Sequence, residues 1–412
     1  MAALTRTSFQ KKSRIKIAQI PGTRPSLQNS QLLVSTGVPS LDYLLGGGLA
    51  VGTLLLIEED AFGNYSRVLL KYFLAEGVVS HHGLFVASVD LHPDEIYQSL
   101  PAVILEEPLT QGDRSAPQFG MSCTQPQVEP PTSDQTLNTE KEEMRIAWRY
   151  QNLPKVHNAL SSDTRFGHNY DFSRTMEKER LQTNSCCTFY PPDLLVSSGS
   201  STLDTSPLYQ PLLRTIHSCV RDGGYDGSHG QPKNVLRLGL LSLGTGLWGD
   251  GVGCSKDPSA TAPLTQFLLA LRAVLRSSLS VALVTVPAHL FQSAAALRRV
   301  RHLSDYVLTL QSFVGSSQDA NPLYHDYHGL LHVNKTPRLN SLVPVVPDVQ
   351  DLAFKLRRKK FTIEASPFSI LHLIGGVFFP MPWKSHRCLC LSTSDPSASR
   401  DDDPIIWSSS WN

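Results

Sequence analysis

The chain has 412 residues, a formal net charge of +1 and 41% hydrophobic residues. This near-neutral charge excludes a uniformly basic nucleic-acid binder, so any contact with RNA must come from local basic patches. The seven cysteines contain no paired C-x-x-C motif, which is typical of a reducing compartment. No apolar run approaches the roughly 20 residues that a membrane-spanning helix requires.

The first 30 residues are predicted to be a disordered basic arm. Residues 1–25 carry six basic and no acidic side chains, and too few apolar groups to fold alone. The arm also lacks the apolar core of a secretory signal peptide. We therefore expect a protein of the cytoplasm and nucleus with a solvated or import-signal tail. Direct contact with RNA and a mitochondrial transit peptide are the alternatives for this arm.

Residues 36–66 have the layout of a nucleotide-binding P-loop and its approach. Pro39 can begin a short helix, because its missing N–H and fixed φ cost nothing at the first helical position. Gly46, Gly47 and Gly48 end that helix, and the apolar run 53–57 is long enough for a buried strand. A turn and a second helix over residues 67–76 follow, with Gly77 as the predicted C-cap.

The turn departs from the P-loop pattern G-x-x-x-x-G-K-[ST]. In that pattern backbone N–H groups cradle phosphates, the Lys meets the β and γ oxygens, and the hydroxyl holds Mg²⁺. Here Glu58 replaces the first glycine, and Gly63 keeps the second. Asn64 takes the lysine position and Tyr65 the hydroxyl position, with Ser66 one residue late.

Carboxylates crowd the same turn. Glu58, Glu59 and Asp60 stand where a polyphosphate would sit, and like charges in a poorly hydrated turn repel. Conventional ATP hydrolysis by this loop is therefore not expected. We predict no catalytic residue, no resident cofactor and no metal site in the chain.

The next apolar strand, residues 83–89, ends at Asp90. An acid at the carboxyl end of a strand can be a metal or base position. Asp90 also precedes Pro93, which opens a short predicted helix over residues 93–100, and a helix cap is the preferred interpretation.

Residues 105–205 change to Pro, Ser, Gln and Thr with scattered charge, which predicts a long insertion that is largely disordered on its own. Two islands interrupt it, at residues 143–152 and 166–176. Their large apolar side chains suggest a contact with a neighbouring subunit, although packing against the chain's own core would also bury them. The candidate interface residues are Ile146, Trp148, Tyr150, Tyr170 and Phe172.

Beyond residue 205 the pattern is again helices alternating with strands. Helical spacing predicts helices over residues 211–220, 264–275 and 292–302, and apolar runs predict strands at 235–243, 280–286, 306–310, 330–335 and 351–363. In an active P-loop ATPase the strand at 235–243 would end in a magnesium-binding acid, but the first carboxylate after it is Asp250. This defect adds to the one in the loop.

Two basic clusters are candidate RNA contacts. The first lies at a helix end, where the helix dipole also favours cations: Arg298, Arg299 and Arg301. The second lies on a predicted edge strand, where charge also resists aggregation: Lys355, Arg357, Arg358, Lys359 and Lys360. As RNA contacts, both would make binding fall steeply with salt.

Four residues with metal-binding side chains lie nearby: His325, Asp326, His328 and His332. In an extended strand His328 and His332 would be about 13 Å apart, too far for one ion. A solvated strand face is the preferred interpretation. For the tail at residues 365–412 we have no functional prediction, and its apolar stretch is too short to span a membrane.

Some of these motifs resemble those of known families. Thr36-Gly37, Leu41-Asp42, the three glycines and Gly52 resemble the segment leading into the P-loop of RecA-like ATPases. EMRIAWRYQN at residues 143–152 and FGHNYDFSRTM at residues 166–176 resemble signatures of the Elongator complex protein 4 family. The resemblance covers roughly residues 35–364.

This resemblance implies an α/β, RecA-like fold without intact Walker motifs: a mostly parallel central sheet flanked by helices, with a long disordered insertion and disordered termini. The domain would comprise residues 31–104 and 206–364, separated by the insertion at 105–205 and followed by the tail. It also implies a heterohexameric ring with two related RecA-like subunits. That ring would bind tRNA and support the wobble-uridine (U34) modification, to 5-carboxymethyluridine-derived groups, carried out by the catalytic Elongator core.

Three hypotheses follow. The first is a non-catalytic or weakly catalytic ring subunit that binds tRNA, with ATP bound between subunits as a variant. The second is an ATP-driven enzyme in the recombinase style. The third is a protein-only scaffold whose partners make any RNA and nucleotide contacts.

Overall fold

The structure, a computed structural model, describes residues 20–26, 30–104, 166–192, 208–227, 234–249, 262–316, 324–340, 342 and 352–365. Its main feature is a nine-stranded sheet with helices packed on both faces. None of the helices in these ranges combines the length and apolar composition that crossing a membrane requires.

Strands and helices alternate through most of the described chain. The strands are β1 (Thr23–Pro25), β2 (Leu32–Val34), β3 (Leu49–Ala50), β4 (Leu54–Glu58), β5 (Gly83–Ala87), β6 (Pro101–Ile104), β7 (Asn169–Thr175), β8 (Cys186–Phe189), β9 (Leu236–Leu240), β10 (Ser280–Val286), β11 (Tyr306–Ser312), β12 (Gly329–Lys335), β13 (Leu352–Arg357) and β14 (Lys360–Ala365). The helices are α1 (Pro39–Leu44), α2 (Asn64–Val79), α3 (Pro93–Gln98), α4 (Lys178–Thr183), α5 (Tyr209–Asp222), α6 (Ala262–Arg276) and α7 (Ala294–Leu303).

The large sheet has the order β14-β13-β12-β11-β4-β10-β9-β5-β8. The pairs from β11 to β8 are parallel, and the three pairs from β11 to β14 are antiparallel. This architecture confirms the predicted α/β class with a mostly parallel central sheet. Because β4 lies between β10 and β11, the turn that follows it opens at the centre of the sheet's carboxyl edge, where α/β proteins bind ligands.

Two apolar layers hold the helices on the sheet. Successive side chains of a strand point to opposite faces, so Leu55 and Ile57 of β4 pack with α2 while Leu54 and Leu56 pack with α5, α6 and α7. Each fully buried leucine contributes about 1.5–3 kcal/mol relative to an exposed one. All five residues of β4 are buried, so helices cover both faces of this strand.

The approach to the β4–α2 turn follows the prediction. Pro39 is the first residue of α1, and Gly46, Gly47 and Gly48 take φ values of +80°, +113° and +126°. A Cβ atom on Gly48 would lie 2.6 Å from the carbonyl oxygen of Val34. Glycine is therefore required there both by the backbone angle and by the close approach of β2.

Two predicted helix caps are wrong. Helix α2 does not end at Gly77 but continues to Val79. A Cβ atom on Gly77 would lie 2.6 Å from Leu84 and 2.9 Å from Arg237, so this glycine lets α2 approach the sheet closely. The cap of α3 is His92, whose Nδ1 accepts the N–H of Asp94, and not Asp90, which faces Arg67 at 3.7 Å.

Two strand predictions also change. The single strand predicted at residues 351–363 is a hairpin of β13 and β14, so β14 forms the sheet edge. Inside the predicted insertion, residues 166–192 build β7, α4 and β8, and β8 joins the large sheet beside β5. The insertion therefore contributes an edge strand to the sheet, which the sequence analysis did not predict.

Candidate functional site

The candidate site is the turn from Glu58 to Ser66, here called the carboxylate loop, at the centre of the sheet's carboxyl edge. Gly63 has a φ of +63° and precedes the first residue of α2. The buried carboxylate of Asp60 accepts the N–H groups of Asn64 at 3.2 Å, Tyr65 at 3.1 Å and Ser66 at 3.4 Å. Free N–H groups at a helix start are a natural anion site. Here a carboxylate of the same loop occupies them.

The hydroxyl of Ser66 and the ring of Tyr65 both have contacts within the protein. Ser66 is fully buried, and its Oγ donates to the carbonyl oxygen of Gly63 at 3.1 Å. The ring of Tyr65 packs edge-on against Phe354 of β13 with 4.8 Å between centroids, and burial raises the pKa of the Tyr65 hydroxyl. The residue in the hydroxyl position of the P-loop pattern therefore serves packing between α2 and β13.

Glu58, the last residue of β4, is paired with Arg301 of α7. The carboxylate is 1% exposed and accepts both Nε and Nη2 of Arg301, the latter at 2.7 Å. It also accepts the hydroxyl of Thr309 at 2.7 Å. The hydrogen bonds that Arg301 donates to Glu58 raise the pKa of Arg301. Two-point pairing of this kind gives both strength and a fixed geometry.

Glu59 connects the loop to the end of β9, where the sequence lacks the magnesium-binding acid. Its Oε1 accepts the hydroxyl of Ser242 at 2.9 Å, and the backbone N–H of Ser242 donates to Thr285 Oγ1 at 2.8 Å. Burial raises the pKa of Glu59, with hydrogen bonds from Thr285 and Ser242 opposing it. Each of the three carboxylates of the loop thus has donors within the chain.

The three arginines of the first predicted RNA cluster lie in two different environments. Arg298 and Arg299 are exposed on α7 and line a groove with α6, whose Leu269 is also exposed. Arg301 is instead engaged with Glu58, so its guanidinium holds the loop in place. The structure brings Arg301, and not its two neighbours, into the candidate site.

The second predicted RNA cluster also contains both exposed cations and one that is paired with an acid. Its four exposed members surround the β13–β14 turn: Arg357, Arg358, Lys359 and Lys360. Lys355 differs, because its side chain is 15% exposed, its Nζ lies 3.0 Å from Glu364, and it sits over the ring of Tyr327. The backbone N–H of Phe172 donates to the carbonyl oxygen of Arg358 and links the turn to β7.

The predicted interface residues of the second island face inward or pack against the core. Tyr170 is 0% exposed, its hydroxyl donates to Glu76 at 2.6 Å, and its ring lies 5.5 Å from that of Tyr72. Phe172 is half-buried against the same Tyr72 ring at 5.0 Å. The structure thus places Tyr170 in the chain's own core. Packing against the core was the alternative to a subunit contact for this island. Ile146, Trp148 and Tyr150 lie outside the described residues.

The histidines near β12 have separate contacts. His328 Nδ1 accepts the N–H of Leu356 at 3.3 Å, while exposed His325 lies 3.6 Å from Asp326. Across the described ranges, no group of three or more His, Cys, Asp or Glu side chains is arranged to hold a metal ion.

Comparison with known proteins places this architecture in a family. Residues 16–370 match the family described as PAXNEB protein. The sequence is 54% identical to Elongator complex protein 4 of Danio rerio over 87% of this chain and 87% of that protein. The chain belongs to the Elongator complex protein 4 family. Identity is 46% to the Homo sapiens member, over 87% of this chain and 82% of that protein. Sequence identity to the Saccharomyces cerevisiae member is 24%, over 83% of this chain and 75% of that protein.

This member of the Elongator complex protein 4 family has a buried polar network beneath α2 that was not predicted from the sequence. Glu76 accepts the N–H of His168 at 3.1 Å, and the Nδ1 of His168 lies 3.1 Å from the same carboxylate. Burial favours the protonated carboxyl, but His168, Arg237 and Tyr170 together lower the pKa of Glu76. The signal was Arg237 itself, a charged residue inside an apolar strand, which requires buried partners.

Proposed function

We propose that the chain is a non-catalytic subunit of the Elongator complex that binds tRNA together with related subunits. The family membership supports assembly with other Elongator subunits. The observation that carries the non-catalytic role is the position of Asp60, whose carboxylate takes the N–H groups that would otherwise bind a phosphate.

Energetics favour an empty nucleotide site. A phosphate charge about 4 Å from Asp60 would be repelled by about 4 kcal/mol at an effective dielectric constant near 20. A P-loop lysine normally offsets such charge, but Asn64 stands at its position, and the nearby cation Arg301 already pairs with Glu58. ATP held at this edge would need cations from a neighbouring subunit.

The proposed ring uses the same carboxyl edge of the sheet. Four large apolar side chains are exposed after the ends of β4, β9, β10 and β11: Phe62, Leu247, Leu290 and Val314. Exposed apolar groups gathered at one edge are typical of a protein interface. These side chains support contact with two related RecA-like subunits in a heterohexamer. The carboxylate loop would then have a structural role at that contact.

The proposed tRNA surface is the β13–β14 turn, together with Arg298 and Arg299. Four exposed cations at one turn suit phosphate contacts, which supply most of the sequence-independent affinity for nucleic acid. We assign neither Arg301 nor Lys355 to this surface, because each has an acidic partner in the chain. The catalytic Elongator core would then modify the wobble uridine (U34), in the cytoplasm and nucleus.

Salt-dependent tRNA binding by the assembled complex tests this proposal. Changing Arg357, Arg358, Lys359 and Lys360 together to Gln should weaken binding and reduce the slope of log affinity against log salt by about 1 per lost phosphate contact. Lys355→Gln is the matched control and should leave the slope unchanged. Arg298→Gln with Arg299→Gln tests the second patch. Unchanged tRNA affinity in both multiple variants would reject tRNA binding through these surfaces and favour the protein-only scaffold.

A further inference from the structure

Strand β8 presents two adjacent cysteines to opposite faces of the sheet. Cys186 packs against the apolar layer that contains α2. Cys187, the next residue, is exposed and faces α5 on the other side, as the alternation of side chains along a strand requires. The sequence neighbours Cys186 and Cys187 are therefore poorly placed to react with each other.

The partner of Cys187 is Cys219 of α5. Both line a cavity of about 330 Å³ between β8 and α5, together with Ser218 and Asp222. The two side chains lie in the same cavity, and each shifts the pKa of the other. Two thiols 32 positions apart in the sequence thus meet across the gap between the edge strand and the helix.

We propose that Cys187 and Cys219 form a dithiol modification site, which a peroxide oxidises to a disulfide joining β8 to α5. An exposed thiol beside a second, resolving thiol is the arrangement of a redox-sensitive cysteine pair. Neither the family membership nor the proposed tRNA binding assigns a role to this pair.

Exposure and the directions of the two pKa shifts indicate which thiol reacts first. The neighbouring Cys219 lowers the pKa of the exposed Cys187 thiol, which favours its thiolate form. Cys187 and burial together raise the pKa of Cys219, which favours its thiol form. Since the thiolate is the nucleophile, Cys187 attacks and Cys219 resolves.

The reaction balances with hydrogen peroxide as the only oxidant. The Cys187 thiolate attacks one peroxide oxygen, the O–O bond breaks, and the departing hydroxide takes a proton to leave as water, giving a sulfenic acid. The sulfur of Cys219 then attacks the sulfenic sulfur, and the S–OH bond breaks as the S–S bond forms. The Cys219 proton leaves with the hydroxide as a second water. A thiol reductant reverses the linkage.

The disulfide would fix the free edge of the sheet. Strand β8 pairs with β5 on one side and is the last strand of the large sheet. A covalent bond to α5 would tie this edge to the helical layer that packs on the opposite face from α2.

Peroxide treatment of the full chain, followed by non-reducing peptide mapping, tests the proposal. We expect a peptide pair linking Cys187 to Cys219, a mass loss of about 2 Da per chain from the two hydrogens removed, and full reversal by dithiothreitol. Cys219→Ser should instead accumulate a sulfenic acid at Cys187 that dimedone traps. Cys187→Ser should abolish both products.

Cys186→Ser is the matched control, since Cys186 adjoins Cys187 but faces the other side of the sheet. This variant should form the Cys187–Cys219 link at the unaltered rate. A different disulfide pairing, an absence of linked peptide, or loss of the link in Cys186→Ser would overturn the proposal. Failure here leaves the tRNA proposal intact, because the salt-dependence experiment is independent of these thiols.

Discussion

Arg301 and Glu58 lie 243 positions apart in the sequence and form a two-point ion pair at the carboxyl edge of the sheet. The pair joins the end of β4 to α7, and Thr309 extends it to β11. It gives the first acid of the carboxylate loop a structural role. The stability of the loop should therefore depend on this arginine.

Arg301→Gln should lower the free energy of unfolding by about 1–3 kcal/mol, because among the described residues it leaves the buried carboxylate of Glu58 with only Thr309 as a side-chain donor. Arg301 is 41% exposed, which keeps the expected loss below that of a fully buried pair. Urea unfolding measures this loss in the free energy of unfolding. Arg299→Gln, an exposed change on the same helix, should stay within about 0.5 kcal/mol. Equal losses in the two variants would show that the Glu58 pair does not stabilise the fold.

Asp60→Ala should cost about 1–2 kcal/mol, because three N–H groups at the start of α2 lose their acceptor. Asp60→Asn keeps an acceptor oxygen and should lose less. Asp94→Ala, which removes an exposed acid from the first turn of α3, is the control and should be nearly neutral. Thermal unfolding of the three variants gives the ranking, and a neutral Asp60→Ala would contradict the capping role.

Tyr170→Phe should destabilise the chain by about 1–3 kcal/mol, because it deprives the buried carboxylate of Glu76 of a charge-assisted hydrogen bond. Tyr97→Phe is the comparison, since the Tyr97 hydroxyl donates at 2.7 Å to the neutral carbonyl oxygen of Leu181. We expect the smaller loss there. Denaturant unfolding distinguishes them, and the reverse order would argue against a charged Glu76.

Asp42 should make stability depend on pH. Burial raises the pKa of its carboxyl to about 6 from 3.8, despite hydrogen bonds from Ser35 and Thr36. The folded chain therefore binds this proton more tightly than the unfolded chain. The stabilisation is complete below the unfolded pKa and is lost as the pH rises through about 6.

Asp42→Asn tests that sign, because it removes the titration but keeps an acceptor oxygen. The stability of the unaltered chain minus that of the variant should fall by roughly 2 kcal/mol between about pH 4 and pH 7. Urea unfolding across this range measures the difference. A flat difference, or one that rises with pH, would contradict the raised pKa of Asp42.

Local patterns predicted much of the fold, and long-range contacts account for most of what they missed. The periodicity around α6, the apolar run of β10 and the glycines after α1 all carry local signals that the structure confirms. Strand β8 has the short sequence Cys-Cys-Thr-Phe, and its place in the sheet depends on β5, about 100 positions earlier.

The sequence alone shows which residues form the candidate site. It does not show which residues they contact. The sequence shows three acids in the turn, yet nothing near Glu58 identifies Arg301 as its partner. The capping role of Asp60 had a local signal, since an acid close before a helix start often caps it. We instead interpreted it as a charge that repels phosphate. The Asp60 carboxylate can both cap α2 and repel a phosphate. The capping role became evident only from its hydrogen bonds in the structure.

The most direct test of the account is magnesium-dependent ATP hydrolysis by the purified chain. We predict turnover no higher than that of a Gly63→Ala or Asn64→Ala variant, because Asp60 already occupies the anion site at the start of α2. Brisk hydrolysis that either substitution abolishes would contradict the account.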